Sequence, residues 1–191
     1  AMGIPAQIYY HQDGHGGPPP VEMMNRWFTK YLFEIDNGVE NDAKAWIVRE
    51  RDSQDQPTAY TDFPNPSAES VILFLQKGGN DAGTLSSKRS SKEKESLIDN
   101  ANYSGEYLAR AKSSNHRLLY TTPILSQDLH LSGTVSIEIK MASSKPAANL
   151  SVWLVALPWE DHKNTEIYDN IITRGWADPQ NSKLDLQSPS L

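Results

Sequence analysis

The sequence predicts a mainly β protein in which an antiparallel sandwich or jelly roll follows a short strand, loop and helix. Residues 133–143 alternate apolar and polar side chains, which is the period of a half-buried strand. Other short β-type runs lie between polar connections rich in proline and glycine, as in sandwiches and jelly rolls. Near the N-terminus, a β-type run, a glycine-rich loop and an amphipathic helix follow in the order that is typical of an α/β sheet.

The N-terminal segment contains the helix that the sequence supports best. Residues 6–10, AQIYY, form an apolar β-type run that stops at the glycine-rich loop. Pro20 suits the first turn of a following helix, and Asn37-Gly38 suits its C-terminal stop. The predicted apolar face of this helix consists of Met24, Trp27, Phe28, Tyr31, Leu32 and Ile35. One strand and one helix cannot bury a core alone, so this segment must pack against something else.

From Lys44 onward the pattern becomes that of a β domain. Strands are predicted in residues 45–51, 70–76, 133–143, 148–159 and 166–178. The run 148–159 is almost continuously apolar, which favours a strand buried on both sides, with Trp153 and Trp159 inside. The Ser-, Lys- and Glu-rich stretch 83–100 is predicted to be a solvated loop, because Glu93 and Glu95 interrupt its positive charge.

Composition excludes several classes of function. A net charge of −6 argues against nucleic acid or an anionic membrane as the main partner. The sequence contains no cysteine, which excludes disulfides, thiolate nucleophiles and cysteine-type zinc sites. No apolar run reaches the roughly 18 residues of a membrane helix, and no signal-peptide core is present. The sequence predicts no cofactor and leaves the compartment open.

The stretch YYHQDGHGGPPP, residues 9–20, is the main candidate for chemistry. His11, Asp13 and His15 are all possible metal ligands. Two histidines four residues apart share a face mainly on a helix, however, and the glycines at positions 14, 16 and 17 disfavour a helix. We therefore predict no metal site here.

His15 is instead a candidate general base. An imidazole titrates near neutrality, so it can take a proton from a nucleophile and return it to a leaving group. Acyl transfer also needs a nucleophile and an orienting carboxylate, and the chain contains no G-x-S-x-G motif. From the residues alone, a catalytic histidine and an ordinary turn both remain open.

Three stretches carry a resemblance to a known family: residues 9–50, 117–157 and 171–181. The first has a strand, a histidine loop, a helix with a W-F-x-x-Y-L core and a following N-G. In this pattern the chain resembles the X-prolyl dipeptidyl-peptidase and cocaine esterase family of serine hydrolases, peptidase family S15. The resemblance covers nearly the whole chain, from Ala6 to Asn181.

The resemblance implies a domain division and a site. Residues 1–43 would be the C-terminal remnant of an α/β-hydrolase domain, and 44–191 a galactose-binding-like jelly-roll β-sandwich whose closure is open. His15 matches the triad histidine, and His11 would support its loop. The serine and aspartate of the triad have no counterpart in this chain and would lie upstream of Ala1.

The function implied is that of a serine peptidase of which this chain is the C-terminal part. The parent would release Xaa-Pro dipeptides from peptide N-termini, and the chain alone would be inactive. The implied partners are the missing hydrolase domain, a proline-containing peptide and, for oligomerisation, further copies of the chain. Residues 174–178 form a turn-like signature for which we expect a structural role, and the alternative is that Trp176 faces the partner domain. The alternative is a non-catalytic β-sandwich that binds carbohydrate or protein, because a fold does not establish a function.

Overall fold

In a computed structural model the chain is mainly β, as predicted. The structure describes residues 5–11, 15–49, 52–53, 55–89, 94–159 and 170–179. Its residues divide into two compact units, Ala1–Val71 with Leu125–Ser136 and Ile72–Ile124 with Ile137–Leu191. No helix among the described residues is long and apolar enough to cross a membrane. The jelly-roll topology and the boundary between residues 43 and 44 stay predictions.

The first unit contains a three-stranded mixed sheet. Strand β1 (Ile8–Tyr10) pairs in parallel with β2 (Ala45–Ile47), and β2 pairs antiparallel with β3 (Thr58–Tyr60). Parallel neighbours need a crossover connection, which helix α1 (Val21–Phe33) supplies. The predicted strand and helix on either side of the histidine loop are therefore confirmed.

Helix α1 ends earlier than the sequence predicts. It follows Pro20 as expected, but Glu34 adopts the left-handed conformation with φ 58°, and its N–H bonds to the Thr29 carbonyl. This C-cap stops the helix four residues before the predicted Asn37-Gly38 stop, so Ile35 lies outside it. Gly38 instead takes φ 69° before a 3₁₀ turn, Val39–Asn41.

The core of the first unit is small. Val39, Ala45 and Val48 are its buried apolar residues within the described part of the chain. Trp27 is half-buried, with its ring 4.5 Å from that of Tyr31. Phe28, on the predicted apolar face of the helix, is 50% exposed among the described residues.

The second unit contains another three-stranded sheet. Strand β4 (Phe74–Gln76) pairs antiparallel with β5 (Gly83–Ser86), and β5 pairs in parallel with β6 (Tyr120–Thr121). β5 corrects the prediction that residues 83–100 form only a solvated loop. β5 pairs with β6, which is far away in the sequence, so no local sequence pattern predicts this strand.

The two strands predicted near the C-terminus form a hairpin. Strand β7 (Leu150–Val155) pairs antiparallel with β8 (Ile171–Ala177). β7 was expected to be buried on both sides, but in the described structure its residues are half-buried, apart from the exposed Ser151. The second helix, α2 (Gly105–Arg110), begins at Ser104, whose Oγ accepts a hydrogen bond from the Tyr107 N–H.

Residues 133–143 differ most from their prediction. The structure describes all of them and assigns no strand there. Alternation predicts a strand only if a neighbouring edge pairs with it, and no described residue does so. The apolar members of the alternation are accordingly 40% to 54% exposed: Val135, Ile137, Ile139 and Met141.

Candidate active-site loop

Strand β1, which precedes the histidine loop, is hydrogen-bonded to its neighbour along its whole length. The Ile8 N–H bonds to the Lys44 carbonyl and the Val48 N–H bonds to the Tyr10 carbonyl, both at 2.8 Å. Pairing therefore extends to the last residue of β1, and His11 is the first residue beyond it. This is the carboxyl end of a parallel strand, where α/β sheets place functional groups.

The His11 ring lies against Tyr9 and Gly17. Its centroid lies 5.5 Å from the Tyr9 ring, with the two planes tilted by 31°. A Cβ added at Gly17 would lie 2.5 Å from Nδ1 and 2.7 Å from Nε2 of His11, closer than real Cβ contacts come. The backbone of Gly17 therefore lies directly against the imidazole of His11.

His15 is exposed, and no hydrogen bond joins it to any of the described residues. Its predicted role as a general base stays a prediction. Asp13, the third of the possible metal ligands, lies outside the described residues. Among those that are described, no group of three histidine or carboxylate side chains could hold a metal ion.

Ionic contacts tie helix α1 to the chain that leads into β2. Arg26 donates two hydrogen bonds to Asp42, from Nε at 3.1 Å and from its terminal nitrogen at 3.0 Å. Asn37 donates to the Arg26 carbonyl at 2.7 Å. Lys30 donates to Asp36 at 2.7 Å, and this bond lowers the pKa of Asp36. These contacts fix the helix that follows the histidine loop.

The second unit contains a buried arginine that sequence reasoning missed. Arg117 is 8% exposed, and burial lowers its pKa, with Asp81 opposing the shift. Its guanidinium donates to five backbone carbonyls, those of Gly79, Asn80, Asp81, Leu108 and Ala111. This engagement of all three guanidinium nitrogens with backbone carbonyls indicates a structural role for the arginine.

Glu95 holds the same turn from another direction. Its Oε1 accepts the N–H groups of Gly78 and Gly79 at 2.7 and 2.8 Å, and its Oε2 accepts the Tyr120 hydroxyl at 2.7 Å. Burial alone would raise the pKa of Glu95, but these bonds more than offset it and the pKa is lowered. Burial and the bond to Glu95 raise the pKa of Tyr120. Nothing in the Ser- and Lys-rich sequence around Glu95 indicates this role.

The hairpin of β7 and β8 carries an aromatic and cationic surface. The Arg174 guanidinium lies 5.6 Å from the Trp153 ring centroid and 5.4 Å from that of Trp176. Trp176 is 71% exposed, whereas Trp153 is half-buried and its ring occupies the space where a Cβ of Gly105 would lie. A flat exposed ring beside a guanidinium can stack on a planar or apolar ligand face.

The remaining histidines, His116, His130 and His162, lie in polar stretches of the sequence, which predicts surface positions. His130 is exposed, with Nε2 3.4 Å from the Tyr60 hydroxyl. His116 is half-buried, since its Nδ1 donates to the Ile98 carbonyl at 2.7 Å and its ring lies against Tyr103. His162 lies outside the described residues.

Comparison with known proteins identifies the family. Residues 37–190 match the family described as the X-Pro dipeptidyl-peptidase C-terminal non-catalytic domain. The chain belongs to this family, and the resemblance to X-prolyl dipeptidyl-peptidases is confirmed. His15 lies outside the matched residues.

Curated relatives of the chain carry names that agree with this family. A "Putative Xaa-Pro dipeptidyl-peptidase" of Rhodopirellula baltica is 53% identical over 190 residues, which cover 99% of this chain and 30% of the relative. A relative of the same name from Bacillus anthracis is 32% identical over 94% of this chain and 29% of its own length. The "Xaa-Pro dipeptidyl-peptidase" of Lacticaseibacillus rhamnosus is 28% identical over 72% of this chain and 18% of its own length. The chain thus spans less than a third of these relatives, and no solved structure matches it.

Proposed function

We propose that the chain is the C-terminal part of a serine hydrolase that releases Xaa-Pro dipeptides from peptide N-termini. One observation carries the proposal: 99% of the chain aligns, at 53% identity, with only 30% of a relative that is named as an Xaa-Pro dipeptidyl-peptidase. The rest of such a protein would supply the serine nucleophile and the aspartate, which the chain would complete with a histidine.

In this proposal His15 is the general base. Its imidazole takes the proton of the serine hydroxyl as the serine oxygen attacks the scissile carbonyl, and then gives that proton to the leaving amine. The aspartate accepts a hydrogen bond from the other ring nitrogen and holds the imidazole in the reactive tautomer. Two features support His15: it is exposed just beyond β1, and it precedes residue 37, where the match to the non-catalytic domain begins.

The remainder of the chain is proposed to form a galactose-binding-like jelly roll that packs on the hydrolase domain. It would shape the cleft or assist the association of copies of the enzyme. Helix α1 lies in the proposed hydrolase remnant, and Phe28 and Leu32 on its apolar face are 50% and 68% exposed. These side chains are therefore available to pack against the rest of the hydrolase domain, and fully burying such a side chain contributes about 1.5–3 kcal/mol.

The assay compares the longer protein that contains this chain with the 191-residue chain itself. On a Xaa-Pro p-nitroanilide, we expect the longer protein to release the dipeptide and the chain alone to release none. A serine-directed fluorophosphonate should label the longer protein only. Turnover by the chain alone, or a longer protein that neither cleaves the substrate nor takes the label, would contradict the proposal.

A second candidate function is a non-catalytic module that binds carbohydrate. The surface formed by Trp153, Arg174 and Trp176 favours it, because sugar rings stack on exposed aromatic side chains. Calorimetric titration of the chain with a panel of oligosaccharides tests this candidate. It predicts saturable binding that Trp176→Ala removes, and the absence of heat with every sugar of the panel would count against it.

A further inference from the structure

The His11 ring and the Gly17 backbone are in direct contact. The Gly17 backbone occupies the place against the His11 ring where any side chain would collide. His15 lies two residues before Gly17 in the sequence. The position of the His15 backbone therefore depends on where the His11 ring holds Gly17.

The His11 ring is itself well anchored. It follows Tyr10, whose carbonyl accepts the Val48 N–H at 2.8 Å. It also lies against the ring of Tyr9, two residues earlier on the same side of the strand. The position of the His11 imidazole is therefore constrained by the pairing of β1 and by the contact with the Tyr9 ring.

Position 17 requires glycine because the His11 ring leaves no room for a Cβ there. Gly17 is not among the residues with positive φ, which are Glu34, Gly38, Gly78 and Gly133 in the described chain. Alanine could therefore adopt its backbone conformation, and the three heavy atoms nearest to the added methyl group all belong to the His11 ring. Removing that ring should remove the requirement for glycine.

We infer that His11 is a positioning residue that, through its contact with Gly17, fixes the backbone that follows His15 and thereby the position of the His15 imidazole. This inference rests on the proposed function, in which His15 is the general base. His11 then acts through the shape of its planar ring and exchanges no proton with the substrate. A loop displaced by about 1 Å can reduce an enzymatic rate by roughly 100-fold, so the contact matters for catalysis.

The test measures kcat and KM of the longer enzyme on a Xaa-Pro p-nitroanilide. His11→Ala should lower kcat by roughly 10- to 100-fold, with KM within about twofold of the parent because substrate binding lies elsewhere. His11→Phe keeps a planar ring and should restore kcat to within about threefold of the parent. The fall of kcat/KM at acid pH should occur over the same pH range in His11→Phe as in the parent, because the base, His15, is unchanged.

A double-mutant cycle tests the contact itself. Gly17→Ala should lower kcat in the parent background, but it should have little further effect in the His11→Ala background, where the methyl group has room. Thermal melting of each variant by circular dichroism separates loss of folding from loss of rate, and His130→Ala is the matched control at an exposed histidine.

Three results would overturn the inference: parental kcat in His11→Ala, His11→Phe as slow as His11→Ala, or Gly17→Ala equally harmful in both backgrounds. Failure of the proposed function looks different. In that case His15→Ala retains the parental rate, whatever His11→Ala does.

Discussion

The histidine loop after β1 and the turn between β4 and β5 are both short and rich in glycine. They differ in how many hydrogen bonds their polar side chains make to the described residues. In the turn, Glu95 accepts two backbone N–H groups, and Arg117 donates to three successive carbonyls. In the histidine loop, His15 is exposed and bonds to no described residue. Its neighbour His11 packs on backbone.

This difference separates two uses of polar side chains. A side chain whose hydrogen bonds go mainly to the backbone of its own fold stabilises that fold. An exposed imidazole on a loop with an anchored base keeps its proton-transfer capacity while its position is defined. The comparison indicates a structural role for Glu95 and Arg117 and fits the proposal that His15 carries the chemistry.

The largest stability loss should follow removal of the buried guanidinium. Arg117→Met leaves buried carbonyls without donors, each costing about 1–3 kcal/mol, so we expect the free energy of unfolding to fall by about 3 kcal/mol or more. Urea denaturation of the 191-residue chain measures it. Arg49→Met is the control, since Arg49 is exposed and its side-chain contacts are with Asp52 and Tyr60, not with a set of buried carbonyls. Equal urea midpoints for Arg117→Met and Arg49→Met would contradict the structural role of Arg117.

A smaller loss should follow a methyl group at the buried end of the turn. A Cβ at Gly83 would lie 2.5 Å from the Gln76 carbonyl oxygen, which as backbone cannot easily move. We expect Gly83→Ala to cost about 1–3 kcal/mol of unfolding free energy. Gly175→Ala is the matched control, because nothing lies within 4 Å of the added Cβ there. A neutral Gly83→Ala would mean that the turn does not pack this closely.

The Glu95 contacts predict a pH dependence. The pKa of Glu95 is lowered in the folded chain, so its contribution to stability is present above its ordinary pKa of 4.5 and is lost as the pH falls through the folded value. Glu95→Gln should flatten this acid limb in melting curves recorded from pH 6 downward, where roughly all of the contribution is still present at the start. An acid limb that is unchanged in Glu95→Gln would show that other carboxylates produce it.

The smallest effect should come from the ion pair behind the histidine loop. Arg26 and Asp42 are partly exposed, with 38% and 29% of their side chains accessible, so Arg26→Ala should cost about 1 kcal/mol or less. Lys44→Ala breaks the more exposed pair with Asp62 and should not change the midpoint measurably. A loss from Arg26→Ala as large as that from Arg117→Met would contradict the distinction between the two regions.

Local signals predicted the N-terminal elements, and long-range pairing limited the rest. The apolar period and Pro20 were sufficient for the start of α1, but its end depends on the left-handed Glu34. β5 could not be predicted, because its strand character comes from pairing with β4 and β6. Residues 133–143 show the converse, since clear alternation produced no strand without a partner.

The candidate site followed the same division. The composition of the loop and its family resemblance pointed to His15, and the strand and helix on either side of it were confirmed. The packing of His11 against Gly17 could not be predicted, because the sequence does not say which glycine meets the ring. Arg117 and Glu95 were missed because their partners are backbone groups up to 38 residues away.

The central claim is that His15 supplies the base of the catalytic triad. The direct test is kcat/KM of the longer protein on a Xaa-Pro p-nitroanilide, with His15→Ala compared with His130→Ala. We predict a loss on the order of 10³-fold or more for His15→Ala and a parental value for His130→Ala. A His15→Ala enzyme within about tenfold of the parent, below what loss of a general base costs, would contradict the claim.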